Sequence, residues 1–246
     1  MEGSKLQPYA LLLAVLIFTA GMILSTFKVA DSIIAVKGNN SITVTGSAKQ
    51  QIKSDLIVWQ GTYSRQAATT DEAYKLLVKD KDIVAKYLGQ KGIDSKAYTV
   101  SSIYTMPLYE TNYNGMTTNN IIAYRLSQTV EIRSDKIDDI TQLSRDITEL
   151  IQQGVEFQSN MPQYYYTKIA DLKVSMLAEA TKDAKMRAEQ ISTNTGSKIG
   201  KLKSAKMGVF QITPLYSTDV SDSGINDTSS LDKEITAVVT CSFEVK

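Results

Sequence analysis

From Leu6 to Phe27 the chain carries no charged side chain, and the run LQPYALLLAVLIFTAGMILSTF is predominantly apolar on every helical face. At about 1.5 Å of rise per residue, a helix of that length spans roughly 33 Å, enough for a hydrocarbon core of roughly 30 Å. A cleaved signal peptide would carry a shorter apolar stretch, about 7–15 residues, ending at a small-residue cleavage site. Here the position three before a cut after Ala30 is Lys28, and before a cut after Ala20 it is Phe18. Tyr9 and Phe27 stand near the two ends, where aromatic rings meet headgroups. The expectation is one retained N-terminal transmembrane helix within residues 1–30, a linker over 31–40, and a separate folded domain over 41–246. Lys5 opposes Glu2 on one flank, and Lys28 and Lys37 oppose Asp31 on the other. The reading takes the N-terminus as inside and the domain as extracytoplasmic, on the periplasmic or cell-surface side of a single-pass anchor.

Chemistry is bounded by what is missing. The chain has no histidine, which removes Ser-His-Asp and Cys-His nucleophiles and most zinc sites. Cys241 is the only cysteine, so neither an intrachain disulfide nor a CxxC motif exists. Lysine plus arginine (27) nearly cancels aspartate plus glutamate (26), without the basic excess that nucleic-acid binding asks for. The expectation is therefore no enzyme, no cofactor, no metal and no nucleic-acid partner.

Beyond Gly38-Asn39-Asn40 the text becomes strand-like. Ser41–Ile52 and Leu56–Arg65 are rich in β-branched and aromatic residues, with Lys53-Ser54-Asp55 as a turn between them. Thr69 and Glu72 form a capping box that opens a helix from about Asp71 to Gly89. Its inward stripe is Ala73, Leu76, Leu77, Ile83, Val84, Tyr87 and Leu88. Strands near Tyr98–Tyr109 and Ile121–Arg133 flank a polar hairpin tip, Glu110–Asn120. A second helix, Lys136–Gln153, turns Ile137, Ile140, Leu143, Ile147, Leu150 and Ile151 inward and stops at Gly154. A strand at Val155–Tyr166 leads into the longest helix, Thr167 to about Thr195, whose apolar face (Ile169, Leu172, Met176, Leu177, Ala180, Ala184, Ala188, Ile191) is narrowed by alanines that permit close approach. Strand text resumes at Lys201–Thr213, followed by a polar loop over Pro214–Lys233. A last strand alternates Ile235, Ala237, Val239, Cys241, Phe243 and Val245 against Thr236, Thr240, Ser242 and Glu244. The order predicts an α+β fold with mostly antiparallel sheets packed by three helices, preceded by the transmembrane helix.

Read in order, several segments resemble the SIMPL domain family of bacterial envelope proteins. They include Ile42-Thr-Val-Thr-Gly46, Ser54-Asp55, Asp71-Glu72-Ala73, Gly92-Ile93, Pro107-Leu-Tyr109 and Tyr124–Ile132. The long alanine-rich stretch Ala178–Glu189, ending in Gly196 and Gly200, carries most of the likeness. The chain departs from the family pattern in lacking a Pro-Asp pair before the second strand and in its long Pro214–Lys233 loop. The resemblance covers about residues 40–246. It implies an exported non-enzymatic α+β domain, large rings in some members, and roles around envelope integrity and oxidative stress. It supplies no catalytic residues.

Thirteen tyrosines are many for 246 residues. Two readings stand side by side: half-buried strand tyrosines with wet hydroxyls, or an aromatic contact surface. The candidate self-association surface is Tyr104, Tyr109, Tyr113, Tyr164, Tyr165 and Tyr166. The stretch Asp219–Asp227 loosely resembles a calcium loop, but Ser230 stands where a bidentate glutamate belongs, so a solvated loop is expected. Asp80/Asp82 and Asp138-Asp139 do not converge on a helix and read as solvated carboxylates. Cys241 reads as a small core residue. Two functions compete: a membrane-anchored scaffold forming a homo-oligomer, and a monomeric or dimeric ligand-binding or sensory module whose small-molecule ligand the residues do not name.

Overall fold

The computed structural model describes residues 16–23, 25, 26, 28 and 40–246. Most of the expected anchor and linker therefore lies outside the described residues. Leu16–Ile23 are helical with exposed side chains, and no helix among the described residues is long and apolar enough to cross a membrane. The rest is α+β, as expected, and falls into two compact units. One comprises the described residues up to Gly46 with Ala180–Met207 and Val239–Lys246; the other comprises Ser47–Glu179 and Gly208–Val238.

The larger unit is built on a six-stranded antiparallel sheet. β2 (Leu56–Ala67) pairs along its length with β5 (Thr117–Ser134), from Ile57↔Ser134 to Ala67↔Tyr124. On the outer side of β5 lie β3 (Tyr98–Val100) and β4 (Tyr104–Thr111); on the outer side of β2 lie β6 (Glu156–Ser159) and β7 (Gln163–Tyr165). The period of two is visible in β2, where Ile57, Trp59, Gly61 and Tyr63 are buried while their neighbours are half-buried or exposed. That face receives α1 (Thr70–Gln90) and α2 (Ile137–Asp146), which runs on into a 3-10 turn, Ile147–Gln153. The Thr69 half of the capping box is present: its hydroxyl oxygen accepts the Glu72 amide at 3.3 Å. Gly154 ends the 3-10 turn at φ +83, a conformation in which a side chain would be strained.

Several expectations need correction here. Leu76 and Ile151 are exposed, so the inward stripes are narrower than the apolar spacing suggests. The second helix is not α throughout, because its last seven residues tighten to 3-10. The single strands expected over Tyr98–Tyr109 and Val155–Tyr166 are each broken in two. Asp80 is not solvated: it is 1% exposed and held by Arg65 Nε and Nη2 at 2.5 and 2.7 Å, with Gly154 O also accepting from Nη2 at 2.5 Å.

A second sheet has the order β1 (Ser41–Lys53), β11 (Asp232–Val245), β9 (Gln211–Pro214), β10 (Ile225–Asn226), with β8 (Ile199–Met207) also on β11. β1 thus pairs with β11 and not with β2, so Lys53-Ser54-Asp55 passes the chain between sheets and closes no hairpin. β8 and β9 pair with successive halves of β11. β10 adds the parallel pairing to β9, inside what reads as an uninterrupted polar loop. In the smaller unit Val44, Val239, Cys241 and Phe243 are buried together with Ala180, Ala184, Ala188 and Ser192 of α3 (Ile169–Asn194). Ser192, not the expected Ile191, continues the buried stripe. Cys241 is fully buried, and burial pushes its thiol pKa up.

Candidate functional site

The six candidate tyrosines separate into two groups. Tyr104 and Tyr109 stand on β4, and Tyr113 stands in the turn that joins β4 to β5. They are 67%, 42% and 97% exposed, and Met106, Met116, Ile121 and Ile122 on the same ribbon are exposed too. β2 pairs with β5 only from Tyr124 onward, so the β4–β5 ribbon runs beyond the β2 pairing from Leu108 to Ala123, whereas Tyr104 and Met106 lie opposite Ser127 and Arg125, which β2 also pairs. The turn itself is closed locally: the Asn112 side chain accepts the amides of Asn114 and Met116 at 3.0 Å, and Gly115 takes φ +77.

Tyr164, Tyr165 and Tyr166 lie at the opposite margin of the same sheet, on and just after β7. All three are half-buried. Tyr164 packs against the core, and its hydroxyl lies 3.1 Å from Thr141 Oγ1. Its backbone is also occupied. The N–H donates to Thr228 O at 2.8 Å, and the carbonyl accepts from Lys233 Nζ at 2.8 Å. Tyr98 and Tyr124 likewise pack on the core. Half-buried strand tyrosines are therefore the right reading for Tyr98, Tyr124 and Tyr164, whereas the ribbon tyrosines are open.

Beside Tyr164–Tyr166 lies a cavity of about 380 Å³ whose walls include Lys173, Phe210, Asp227 and Lys233. Lys173 Nζ sits 5.4 Å from the centre of the Phe210 ring. Lys233, which the sequence offers only as the end of a polar loop, is 2% exposed. Its ammonium also donates to the Asp227 carbonyl and lies 3.7 Å from the Asp227 carboxylate. Burial lowers the Lys233 pKa, and Asp227 works against that shift. For Asp227, burial acts upward, but it is outweighed by hydrogen bonds from Ser229 and Ser230 and by the Lys233 charge, so its pKa lies below the usual value. Asp227 is thus turned inward onto Ser229 N (2.9 Å), Ser229 Oγ (2.6 Å) and Ser230 N (3.2 Å). Asp219 pairs instead with Ser217 Oγ at 2.9 Å. Among the described residues no group of three or more acidic, histidine or cysteine side chains is placed to hold a metal ion.

A second junction escaped the sequence reading. Asp55 accepts the Thr167 amide at 2.7 Å and the Thr167 hydroxyl at 2.8 Å, fixing the chain just before α3. Next to it, Ser54 N donates to Leu231 O and Asp55 N to Tyr165 O, both at 2.9 Å. Ser54-Asp55 therefore gathers β7, the start of α3 and the end of the polar loop. A sequence signal for this exists in hindsight: a short polar pair between two long strands that do not make a hairpin needs tertiary partners for its amides.

A model of the SIMPL family, described as a protein of unknown function (DUF541), matches residues 42–243. No curated protein matches the chain significantly.

Proposed function

The chain belongs to the SIMPL family, and from that premise we propose that it is a membrane-anchored, non-enzymatic scaffold of the cell envelope. It self-associates on the extracytoplasmic side of the membrane, and the family resemblance points to a large ring with a role in envelope integrity or oxidative stress. The observation that carries the reading is the placement of open tyrosines at one margin of the six-stranded sheet and of Tyr165 and Tyr166 at the other. Contacts between unlike margins are head-to-tail, and within one membrane plane such contacts close into rings or run on as fibres. A charge-free Leu6–Phe27 segment would confine every copy to that plane and raise effective concentration.

The test is the mass of the detergent-solubilised full-length protein, in parallel with a Tyr109→Ser/Tyr113→Ser variant. The scaffold reading expects a discrete oligomer that the variant shifts toward monomer. A strictly monomeric parent at micromolar concentration overturns it. Mass determination of the membrane-purified chain checks the anchor, since an N-terminus at or beyond Asp31 would sink that part.

The cavity beside Lys173, Phe210 and Lys233 favours a second reading, a ligand-binding or sensory module working as a monomer or dimer. A monomeric parent whose melting temperature rises with an added small molecule would promote it.

A further inference from the structure

The walls of the cavity beside Tyr164–Tyr166 all belong to the larger unit. Four aromatic rings and three isoleucine side chains line it, against two ammonium groups, Lys173 and Lys233, and one carboxylate, Asp227. A space of about 380 Å³ with mostly apolar walls and few charges has the form of a small-molecule site. Part of its wall is fixed by backbone. Gly224 takes φ +86, and a Cβ there would stand 2.9 Å from Phe210 O, so the loop closes directly onto the residue that carries the ring.

The two lysines are not equivalent. Lys233 is engaged inside the protein: two of its three N–H groups go to the carbonyls of Tyr164 and Asp227, and the Asp227 carboxylate, itself held by Ser229 and Ser230, balances its charge. Lys173 is exposed, and its contact is the Phe210 ring, 5.4 Å from Nζ to the ring centre. A ring attracts a cation but carries no net charge to neutralise it. The positions three and four residues away on α3 are Ile169, Ala170, Met176 and Leu177, so the helix offers Lys173 no carboxylate, whereas Arg187 has Asp183 at 2.9 Å. Lysine stems also cover rings from water, and that use explains Lys173 alone. It leaves the Tyr166 hydroxyl and the Asn226 side-chain amide, on the same cavity, which make no hydrogen bond among the described residues. One unbalanced cation and two unused donors therefore border an aromatic space.

We propose that this cavity binds a small organic anion, with a carboxylate held at Lys173 and an apolar body lodged among the aromatic rings. The proposal rests on the ligand-binding reading of the cavity and stands apart from the ring and the anchor. An anion is favoured because the charged groups of the walls leave one positive charge over, and an apolar body because rings and isoleucines make up most of the lining.

The experiment titrates the full-length protein in detergent by calorimetry, against a detergent-only blank that removes partitioning into micelles. The probes share one body: 3-phenylpropionate, its neutral amide 3-phenylpropionamide, and the cation 3-phenylpropylamine. The expected result is saturable binding, with the carboxylate about fivefold tighter than the amide, as for one exposed ion pair, and the cation weakest. Lys173→Gln should bring the carboxylate to the affinity of the amide, and Lys173→Arg should keep the preference. Ser223→Trp, at an exposed position on the wall, should block every probe while the melting temperature stays that of the parent. Carboxylate and amide binding equally, both blocked by Ser223→Trp, overturns the anion site and leaves the ligand-binding reading standing. A preference that survives Lys173→Gln, or binding that survives Ser223→Trp, overturns the placement at this cavity. No saturable binding of any probe overturns the proposal and the ligand-binding reading together.

Discussion

Gly46 on β1 and Ala184 on α3 meet backbone to backbone: a Cβ on Gly46 would stand 2.3 Å from the Ala184 amide nitrogen and 2.2 Å from the Ala180 carbonyl oxygen. Neither neighbour is the movable end of a side chain, so nothing can step aside. The glycine closing Ile42–Gly46 and the alanine in the middle of Ala178–Glu189 are two halves of one contact.

Gly46→Ala and Ala184→Leu should therefore each destabilise the protein by at least about 1–3 kcal/mol through overpacking. Ala184 is fully buried, which leaves no route for a leucine side chain to reach solvent without displacing the strand. Denaturant unfolding of each variant checks this; stability equal to the parent would mean that strand and helix stand further apart.

Asp80→Ala should cost about 3 kcal/mol, the low end for breaking a buried ion pair, because Arg65 stays partly solvated at 28% side-chain exposure. The loss also frees the group that ties β2 to Gly154 O. Exposed Asp82→Ala is the control and should change stability by less than about 0.5 kcal/mol.

Tyr63 is fully buried and donates to Gln128 Oε1 at 2.9 Å, and burial, reinforced by the Asp80 charge, pushes its pKa up to about 12. A raised folded value means the native state keeps its proton where the unfolded chain has lost it. Stability from this group is therefore complete below about pH 10 and is lost as pH rises from there through about 12. Following phenolate absorbance against pH should show a tyrosine titrating well above pH 10 in the parent that is missing from Tyr63→Phe. In Tyr63→Phe, the part of the alkaline stability loss between pH 10 and 12 that belongs to this group should disappear.

Asp227 is depressed below its ordinary 3.8, so its contribution is present above that pH and is lost as pH falls through its lower folded value. Asp227→Asn should flatten the acid end of the stability curve over this window. Lys233→Met should cost roughly 2 kcal/mol or more at neutral pH, because the carbonyls of Tyr164 and Asp227 would lose a buried donor. Thermal unfolding of both variants across acid pH measures the two effects.

Sequence alone was enough wherever a signal is local and repeats. The alternation from Ile235 to Phe243 is buried at every expected position, with only Val245 at the strand's end half-buried, because successive strand side chains must point to opposite faces. Thr69 with Glu72 and Gly154 mark helix ends for reasons contained within a few residues. The alanine stripe of α3 is legible because small residues at helical spacing have few other uses. The family likeness was legible as well, since it rests on an ordered set of such local signals.

Tertiary structure decided the rest, and in each case the reason is a partner far along the chain. Whether β1 and β2 form a hairpin depends on which strand wins the edge of each, and β11, nearly two hundred residues later, takes β1. Leu76 and Ile151 are apolar residues at helical spacing that found no facing surface, whereas Asp80 is charged and went inside because Arg65 met it there. Lys233 looks like a loop residue until the carbonyls of Tyr164 and Asp227 close around its ammonium. Of the six tyrosines, composition could name the set but not divide it. Tyr104, Tyr109 and Tyr113 on and beside β4 are open, whereas Tyr164 on β7 packs on the core, and which strand meets the core is a property that no window of neighbouring residues contains.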